Sequence, residues 1–125
     1  MPILYQTDTK TEEGPSIPRT ILVDASHRAK SLWVGHLEIA PGAQITTYIH
    51  PDTEEAMVIV EGQLEAVLGN EVINLGPGDT VLAPVGVKHG FINRSGENAV
   101  LLASFTKTSF QRVAADSYGV PGNRT

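Results

Sequence analysis

The chain has no cysteine among its 125 residues. Disulfide bonds, thiolate metal sites, iron–sulfur clusters and a thiol nucleophile are therefore excluded. No apolar run approaches the ~20 residues that a membrane-spanning helix needs. The first residues also lack the basic start and apolar stretch of a secretory signal. These absences predict a cytoplasmic protein with no membrane partner.

Positive charge is also scarce. Nine lysines and arginines stand against fourteen acidic residues, which gives a formal net charge of −5. The basic residues are scattered along the chain rather than gathered in one stretch. Because binding to nucleic acid needs a concentrated basic footprint, we expect no nucleic-acid partner. The chain has no phosphate-binding glycine loop and no Ser/His/Asp pattern, which argues against nucleotide-dependent and serine-nucleophile chemistry.

Short runs rich in Val, Ile, Leu and Thr fill the middle of the chain, separated by Gly, Pro, Asn and Asp. Strands at this spacing are typical of an all-β sandwich or barrel. A single domain of this length buries roughly two-thirds of its unfolded surface, so it can fold without a disulfide or a structural metal. The predicted strands are Thr20–Val23, Ser31–Ile39, Gln44–His50, Ala56–Glu61, Gln63–Leu68, Glu71–Leu75, Thr80–Ala83, His89–Asn93 and Ala99–Phe105.

The two ends of the chain break this pattern. Residues 1–20 are polar, contain three prolines and are predicted to form an extended N-terminal arm before a barrel over residues 21–108. Residues 109–125 form a C-terminal tail. Within it a short helix is predicted over Ser109–Ser117, because a serine cap precedes apolar residues at helical spacing.

Two histidines and a glutamate fall on or beside three of the predicted strands. Alternate side chains of a strand share one face, so Tyr48 and His50 are expected to point the same way. The set His50, Glu55 and His89 has the composition of a two-histidine, one-carboxylate metal site with open positions. Such a site suits ferrous iron and also manganese, nickel or zinc. Taken alone, however, a histidine at a strand end is more often a surface or hydrogen-bonded residue than a metal ligand.

Five further side chains are expected to line a pocket beside these residues: Gln44, Met57, Phe91, Phe105 and His36. Alternation places Gln44 on the face of Tyr48. Trp33 and His36 have opposite parity, so a regular strand cannot turn both of them inward. Trp33 is expected in the core.

The block around Tyr48 resembles the first sequence motif of the cupin family. That motif reads Gly, five residues, His-x-His, three or four residues, Glu, six residues and Gly. The chain has Gly42, five residues, Tyr48 to His50, four residues, Glu55, six residues and Gly62. The spacing therefore matches throughout, and the residue type differs at one position, Tyr48.

A second block resembles the second cupin motif without exception. That motif reads Gly, five residues, Pro-x-Gly, two residues, His, three residues and Asn. The chain meets it with Gly78, Pro84, Gly86, His89 and Asn93. With both blocks, the resemblance covers roughly residues 31–106.

The cupin resemblance implies a double-stranded β-helix, the jelly-roll barrel of two antiparallel sheets. It implies that His50, Glu55 and His89 are ligands of a divalent transition metal, the expected cofactor, whereas Asn93 and the glycines are structural. Cupins commonly dimerise through a sheet face or exchanged N-terminal strands. We therefore expect a homodimer, for which residues 2–20 supply a candidate arm.

Tyr48 stands where cupins have their first histidine, and three interpretations of it are open. In the first, Tyr48 is a further metal ligand as a phenolate, since a cation lowers the pKa of a phenol from about 10. In the second, the phenol stays protonated and forms hydrogen bonds to a substrate or a metal-bound water. In the third, the metal has been lost and an apolar pocket remains.

The resemblance implies an enzyme acting on a small oxygenated organic acid or sugar by dioxygenation, isomerisation, decarboxylation or elimination. Tyr48, His50 and His89 are then the candidate catalytic residues. A metal-free catalytic site is also open, with His50 or His89 as general base and Glu55 orienting it. The alternative from another class is a non-catalytic protein that binds or senses a small ligand. A purely structural dimerisation domain is disfavoured, because it needs no inward-facing histidines.

Overall fold

The computed structural model describes residues 3–13 and 17–115, without the side chains of residues 12 and 13. Almost all of the regular structure in these residues is β, and no helix among them is long and apolar enough to cross a membrane. The strands are β1 (Lys10–Glu13), β2 (Pro18–Val23), β3 (Trp33–Ile39), β4 (Gln44–Ile49), β5 (Glu55–Glu61), β6 (Leu64–Leu68), β7 (Glu71–Leu75), β8 (Thr80–Ala83), β9 (His89–Ile92), β10 (Ala99–Phe105) and β11 (Val113–Ala114). Single 3-10 turns lie at Gln6–Asp8 and Ala25–His27.

The strands form two antiparallel sheets. One has the order β1-β2-β3-β10-β5-β8, and the other has the order β11-β4-β9-β6-β7. Most strands that follow each other between β3 and β11, for example β4 and β5 or β8 and β9, lie in different sheets, and β6 and β7 are the exception. The chain therefore winds between the two sheets, which confirms the predicted double-stranded β-helix.

Alternating apolar side chains from both sheets meet to form one core. In β10 every second residue is buried, from Ala99 to Phe105. The Trp33 ring packs edge-on against Phe105 at 5.3 Å and against Phe110 at 5.7 Å, which confirms its place in the core. The core residues are Ile21, Trp33, Ile39, Met57, Ile59, Leu64, Ala66, Val81, Ala83, Phe91, Ala99, Leu101, Ala103 and Phe105.

All the predicted strands are present, with ends that differ from the prediction by two residues at most. The structure adds two strands. β1 pairs with β2, which itself pairs with β3 and begins at Pro18, inside the predicted arm. The described part of the N-terminal segment therefore contains a 3-10 turn and β1, and β1 forms one edge of the six-stranded sheet of its own chain.

The second added strand replaces the helix predicted over Ser109–Ser117. In the described part of that segment β11 pairs with β4, and Ala115 N–H donates to the Thr47 carbonyl at 3.1 Å. Residues 116 and 117 lie outside the described residues. The helix prediction is wrong because so short a helix is marginal alone, whereas the edge of β4 offers a ready hydrogen-bonding partner.

A β-bulge in β4 shifts the alternation of its side chains. Ile45 pairs with Phe91 and Tyr48 with His89, so β4 has one more residue than β9 between these pairs. Gly90 makes the close approach possible, since a Cβ there would lie 2.6 Å from the Ile45 carbonyl oxygen. Ile45 consequently packs on the core and Gln44 is exposed. The expectation that Gln44 shares the face of Tyr48 is therefore wrong.

Candidate metal centre

Three buried side chains meet at one end of the barrel. His50 follows β4, Glu55 begins β5 and His89 begins β9. Their relative exposures are 3%, 3% and 1%, and the candidate ligand atoms all lie within 4.8 Å of one another. The cross-strand pair Tyr48–His89 and the hydrogen bond from Gly86 N–H to the His50 carbonyl, 2.9 Å long, join the two sequence blocks here.

Backbone carbonyls fix the orientation of both imidazole rings. Nδ1 of His89 lies 3.0 Å from the Val87 carbonyl oxygen, and Nδ1 of His50 is hydrogen-bonded to the Gln111 carbonyl oxygen. Because a carbonyl only accepts, each Nδ1 carries the hydrogen. The Nε2 atoms, which carry the lone pair of an imidazole whose hydrogen is on Nδ1, are directed toward Glu55. This is the arrangement in which histidine binds metals through Nε2.

The polar atoms at the centre are only partly satisfied by one another. Oε1 of Glu55 lies 2.7 Å from Nε2 of His89 and 3.4 Å from Nε2 of His50. The second contact does not make a hydrogen bond, and Nε2 of His50 has no hydrogen-bond partner among the described residues. An unsatisfied buried polar atom is costly, and lone pairs that face each other repel. A cation between the three groups would satisfy them all, so these residues fit a metal.

Burial and neighbouring groups shift the pKa values of Glu55 and Tyr48 in opposite directions. Burial raises the pKa of Glu55, but the His50 and His89 rings lower it by more, so the pKa lies below its usual range. Burial, and then the charge of Glu55, hold the pKa of Tyr48 well above its usual value of 10.0, against a smaller opposite effect of Arg112. Tyr48 accordingly donates its hydroxyl hydrogen to Oε1 of Glu55 at 3.1 Å.

The chain after β10 returns to this site. The Phe110 ring stacks on Phe105, with centroids 3.8 Å apart, and lies 5.3 Å from the His50 ring. The Arg112 guanidinium sits 4.2 Å from the centre of the Tyr48 ring, within the range of a cation–π contact. Sequence reasoning missed the contacts of Phe110 with His50 and of Arg112 with Tyr48, because residues so far apart in the sequence carry no local signal of meeting.

The structure places the five expected pocket residues in different parts of the barrel. Phe105 packs edge-on against His50 at 4.8 Å, whereas Met57 and Phe91 belong to the buried core. Gln44 is exposed. His36 lies apart from the site because it alternates with the buried Trp33 and Gly35, and it lines an outer cleft of about 560 Å³. The structure therefore does not place His36 or Gln44 with the three metal-ligand candidates.

Asn93 shows that the second block also has a structural part. It is fully buried, and its amide donates to the carbonyls of Ile39 at 2.8 Å and Glu97 at 2.7 Å. Its side-chain oxygen accepts the Ser95 N–H at 2.9 Å. The Asn93 side chain is thus satisfied by the loop that it holds, as expected from the resemblance.

Comparison with known sequences identifies the class of protein. Residues 35–105 match the family profile described as Cupin domain, and this match covers more than half of the chain. The chain therefore belongs to the cupin family, which confirms the resemblance seen in the two blocks.

Individual relatives include proteins of polyketide biosynthesis. Polyketide synthase CurC of Streptomyces cyaneus is 33% identical over 81 residues, which are 65% of this chain and 53% of CurC. Tetracenomycin polyketide synthase protein TcmJ of Streptomyces glaucescens is 30% identical over 76 residues, 61% of this chain and 51% of TcmJ. The chain thus spans about half the length of these relatives.

A solved structure similar over most of its length is the polyketide cyclase RemF of Streptomyces resistomycificus. The match has a TM-score of 0.77 at 22% identity and covers 94% of this chain and 90% of RemF. At this identity the likeness shows the fold alone.

Proposed function

We propose that this cupin is a metal-dependent enzyme acting on a small molecule, with His50, Glu55 and His89 as its three protein ligands. The observation that carries the proposal is the buried Nε2 atom of His50. It has no hydrogen-bond partner among the described residues and faces the same point as Nε2 of His89 and the Glu55 carboxylate. Two histidines and a carboxylate with open positions suit iron, manganese, nickel or zinc.

Three protein ligands leave coordination positions at which a substrate oxygen can bind. When bound, the metal supplies Lewis acidity or an oxygen-activating centre. Tyr48 keeps its proton and donates to Glu55, so its phenol orients that carboxylate and lies within reach of a bound substrate. The rings of Phe105 and Phe110 beside His50 exclude water from one side of the site.

The proposed substrates are small oxygenated organic acids or sugars, because their carboxylate, hydroxyl and carbonyl oxygens are ligands for such a metal. The reaction classes in view are dioxygenation, isomerisation, decarboxylation and elimination. A second substrate class, polyketides, is favoured by one specific observation. Two relatives with at least 30% identity, CurC and TcmJ, are named as polyketide synthase proteins.

Metal analysis tests the proposal directly. Wild-type protein purified without chelator, or offered each of the four metals, is expected to hold about one ion per chain. His50→Ala and His89→Ala are expected to lose it. Tyr48→Phe keeps the ligands but lacks the hydroxyl, so it should retain the metal and lose substrate binding or turnover. Wild-type protein that takes up none of the four metals would show the proposal to be wrong.

Turnover then separates the enzyme from a binding protein and one substrate class from the other. The metal-loaded protein is incubated with hydroxy acids, keto acids, sugar acids and an aromatic polyketide precursor, and products are followed by mass spectrometry. His89→Ala serves as the control. Metal-dependent conversion of one class assigns the substrate, whereas binding without conversion supports the non-catalytic alternative.

We also propose that the chain forms a homodimer. Exposed apolar side chains on the six-stranded sheet, among them Val60 and Leu82, support an interface there. Deletion of residues 1–18 followed by mass measurement in solution tests the role of the arm. An unchanged dimer would remove the arm from the interface.

A further inference from the structure

A second carboxylate reaches the His50 ring indirectly. Oδ1 of Asp52 accepts the backbone N–H of Gln111 at 3.0 Å. The carbonyl of the same Gln111 accepts the Nδ1 hydrogen of His50. Asp52 follows His50 by two positions and is half-buried in the turn that leads into β5, so it lies outside the three candidate ligands.

The segment that carries Gln111 is attached on both sides of that residue. Before it, Thr106 Oγ1 lies 3.1 Å from Thr53 Oγ1, and Lys107 forms an ion pair with Asp52 at 3.5 Å. After it, β11 is hydrogen-bonded to β4. These contacts bring the segment to the site, but among the described residues it is the Asp52 carboxylate that accepts the backbone N–H of Gln111 itself. The position of the carbonyl that faces His50 therefore depends on Asp52.

When a histidine binds a metal through one ring nitrogen, the hydrogen-bond partner of its other ring nitrogen sets the ring orientation and the tautomer. Removing such a partner typically lowers metal affinity about 10–100-fold. We propose that Asp52 is a positioning residue for His50, acting through the backbone of Gln111. The inference rests on the proposed metal centre, and Asp52 itself touches neither metal nor substrate.

The competing explanation is that Asp52 only stabilises its turn. Asp79 provides a matched control, because its carboxylate accepts the backbone N–H of Gly76 at 2.9 Å in the turn between β7 and β8. Asp79→Ala removes the same kind of bond from a different turn. Asp52→Asn keeps an acceptor for the Gln111 N–H while removing the charge that pairs with Lys107.

The experiment is a titration of the full chain with Co(II), whose visible absorption reports both affinity and ligand geometry. The proteins compared are wild type, Asp52→Ala, Asp52→Asn and Asp79→Ala, with thermal unfolding of each metal-free protein measured in parallel. Asp52→Ala is expected to weaken Co(II) binding about 10–100-fold and to alter the spectrum. Asp52→Asn should recover wild-type affinity to within about 3-fold, because an exposed ion pair contributes little. Asp79→Ala should keep the wild-type affinity and spectrum.

Two outcomes would overturn the inference, and they have different meanings. If Asp52→Ala binds Co(II) like Asp79→Ala, with only its unfolding temperature lowered, Asp52 is a turn residue and the metal centre still stands. If wild type binds no Co(II) and no other metal, the proposed function fails first and the positioning role fails with it.

Discussion

Two buried polar clusters lie in the same barrel and differ in how completely the fold satisfies them. Asn93 has both sides of its amide hydrogen-bonded to neighbouring residues. In the cluster of His50, Glu55 and His89, the described residues leave Nε2 of His50 without a partner. A satisfied cluster contributes to folding by itself, whereas a partly satisfied one is costly unless something fills it. The comparison separates a structural site from a binding site within one sequence signature.

The largest expected effect comes from breaking the satisfied cluster. Asn93→Ala removes the amide that donates to the carbonyls of Ile39 and Glu97 and opens a cavity at a fully buried position. We expect a loss of about 2–4 kcal/mol in the free energy of unfolding, measured by urea denaturation. The exposed neighbour Asn98→Ala is the control and should change stability by less than about 0.5 kcal/mol. Equal effects of the two substitutions would contradict the structural role.

The next effect comes from filling the unsatisfied cluster. A metal at 100 times its dissociation constant stabilises the folded state by about 2.7 kcal/mol if it binds only that state. Wild type should therefore unfold at a higher temperature with metal than without it. His89→Ala should show no such shift, and Asn93→Ala should still show it. A shift of equal size in wild type and His89→Ala would mean that the metal binds elsewhere.

The smallest effect concerns a third polar cluster, at the surface. Lys10 Nζ bonds to Asp24 at 2.9 Å, and its hydrogen bond and that of Ser26 lower the pKa of Asp24 from 3.8 to about 2. Because the folded-state pKa is depressed, the contribution to stability is present above pH 3.8 and is lost as the pH falls through about 2. The free energy of unfolding, measured across this pH range, should fall less with acid in Lys10→Ala than in wild type. The same dependence of this free energy on pH in both proteins would contradict the pairing of Lys10 with Asp24.

The sequence was a good guide wherever structure depends on local chemistry. Strands separated by Gly and Pro turns are predicted to within two residues, and the resemblance of the two blocks to the cupin motifs predicts that His50, Glu55 and His89 lie together. Strict alternation failed at Gln44, because a bulge beside Gly90 adds one residue to β4. Local helical pattern failed at Val113, because pairing with a distant strand edge decides its conformation.

The same reason explains what the sequence could not supply about the site. Tyr48 was recognised as the departure from the cupin motif, but its bond to Glu55 is visible only in three dimensions. The contribution of Gln111 was invisible, because it is made by a backbone carbonyl and carries no side-chain signature. Backbone contacts between residues that are far apart in the sequence can be identified only from a structure.

The most direct test of the metal centre is anomalous diffraction from crystals of metal-loaded protein. We predict one anomalous peak inside the barrel at coordination distance, roughly 2.0–2.2 Å for zinc, from Nε2 of His50, Nε2 of His89 and the carboxylate of Glu55. The Tyr48 hydroxyl should remain hydrogen-bonded to Glu55 rather than to the ion. A peak elsewhere on the molecule, or none between these three side chains, would contradict the three-ligand metal centre.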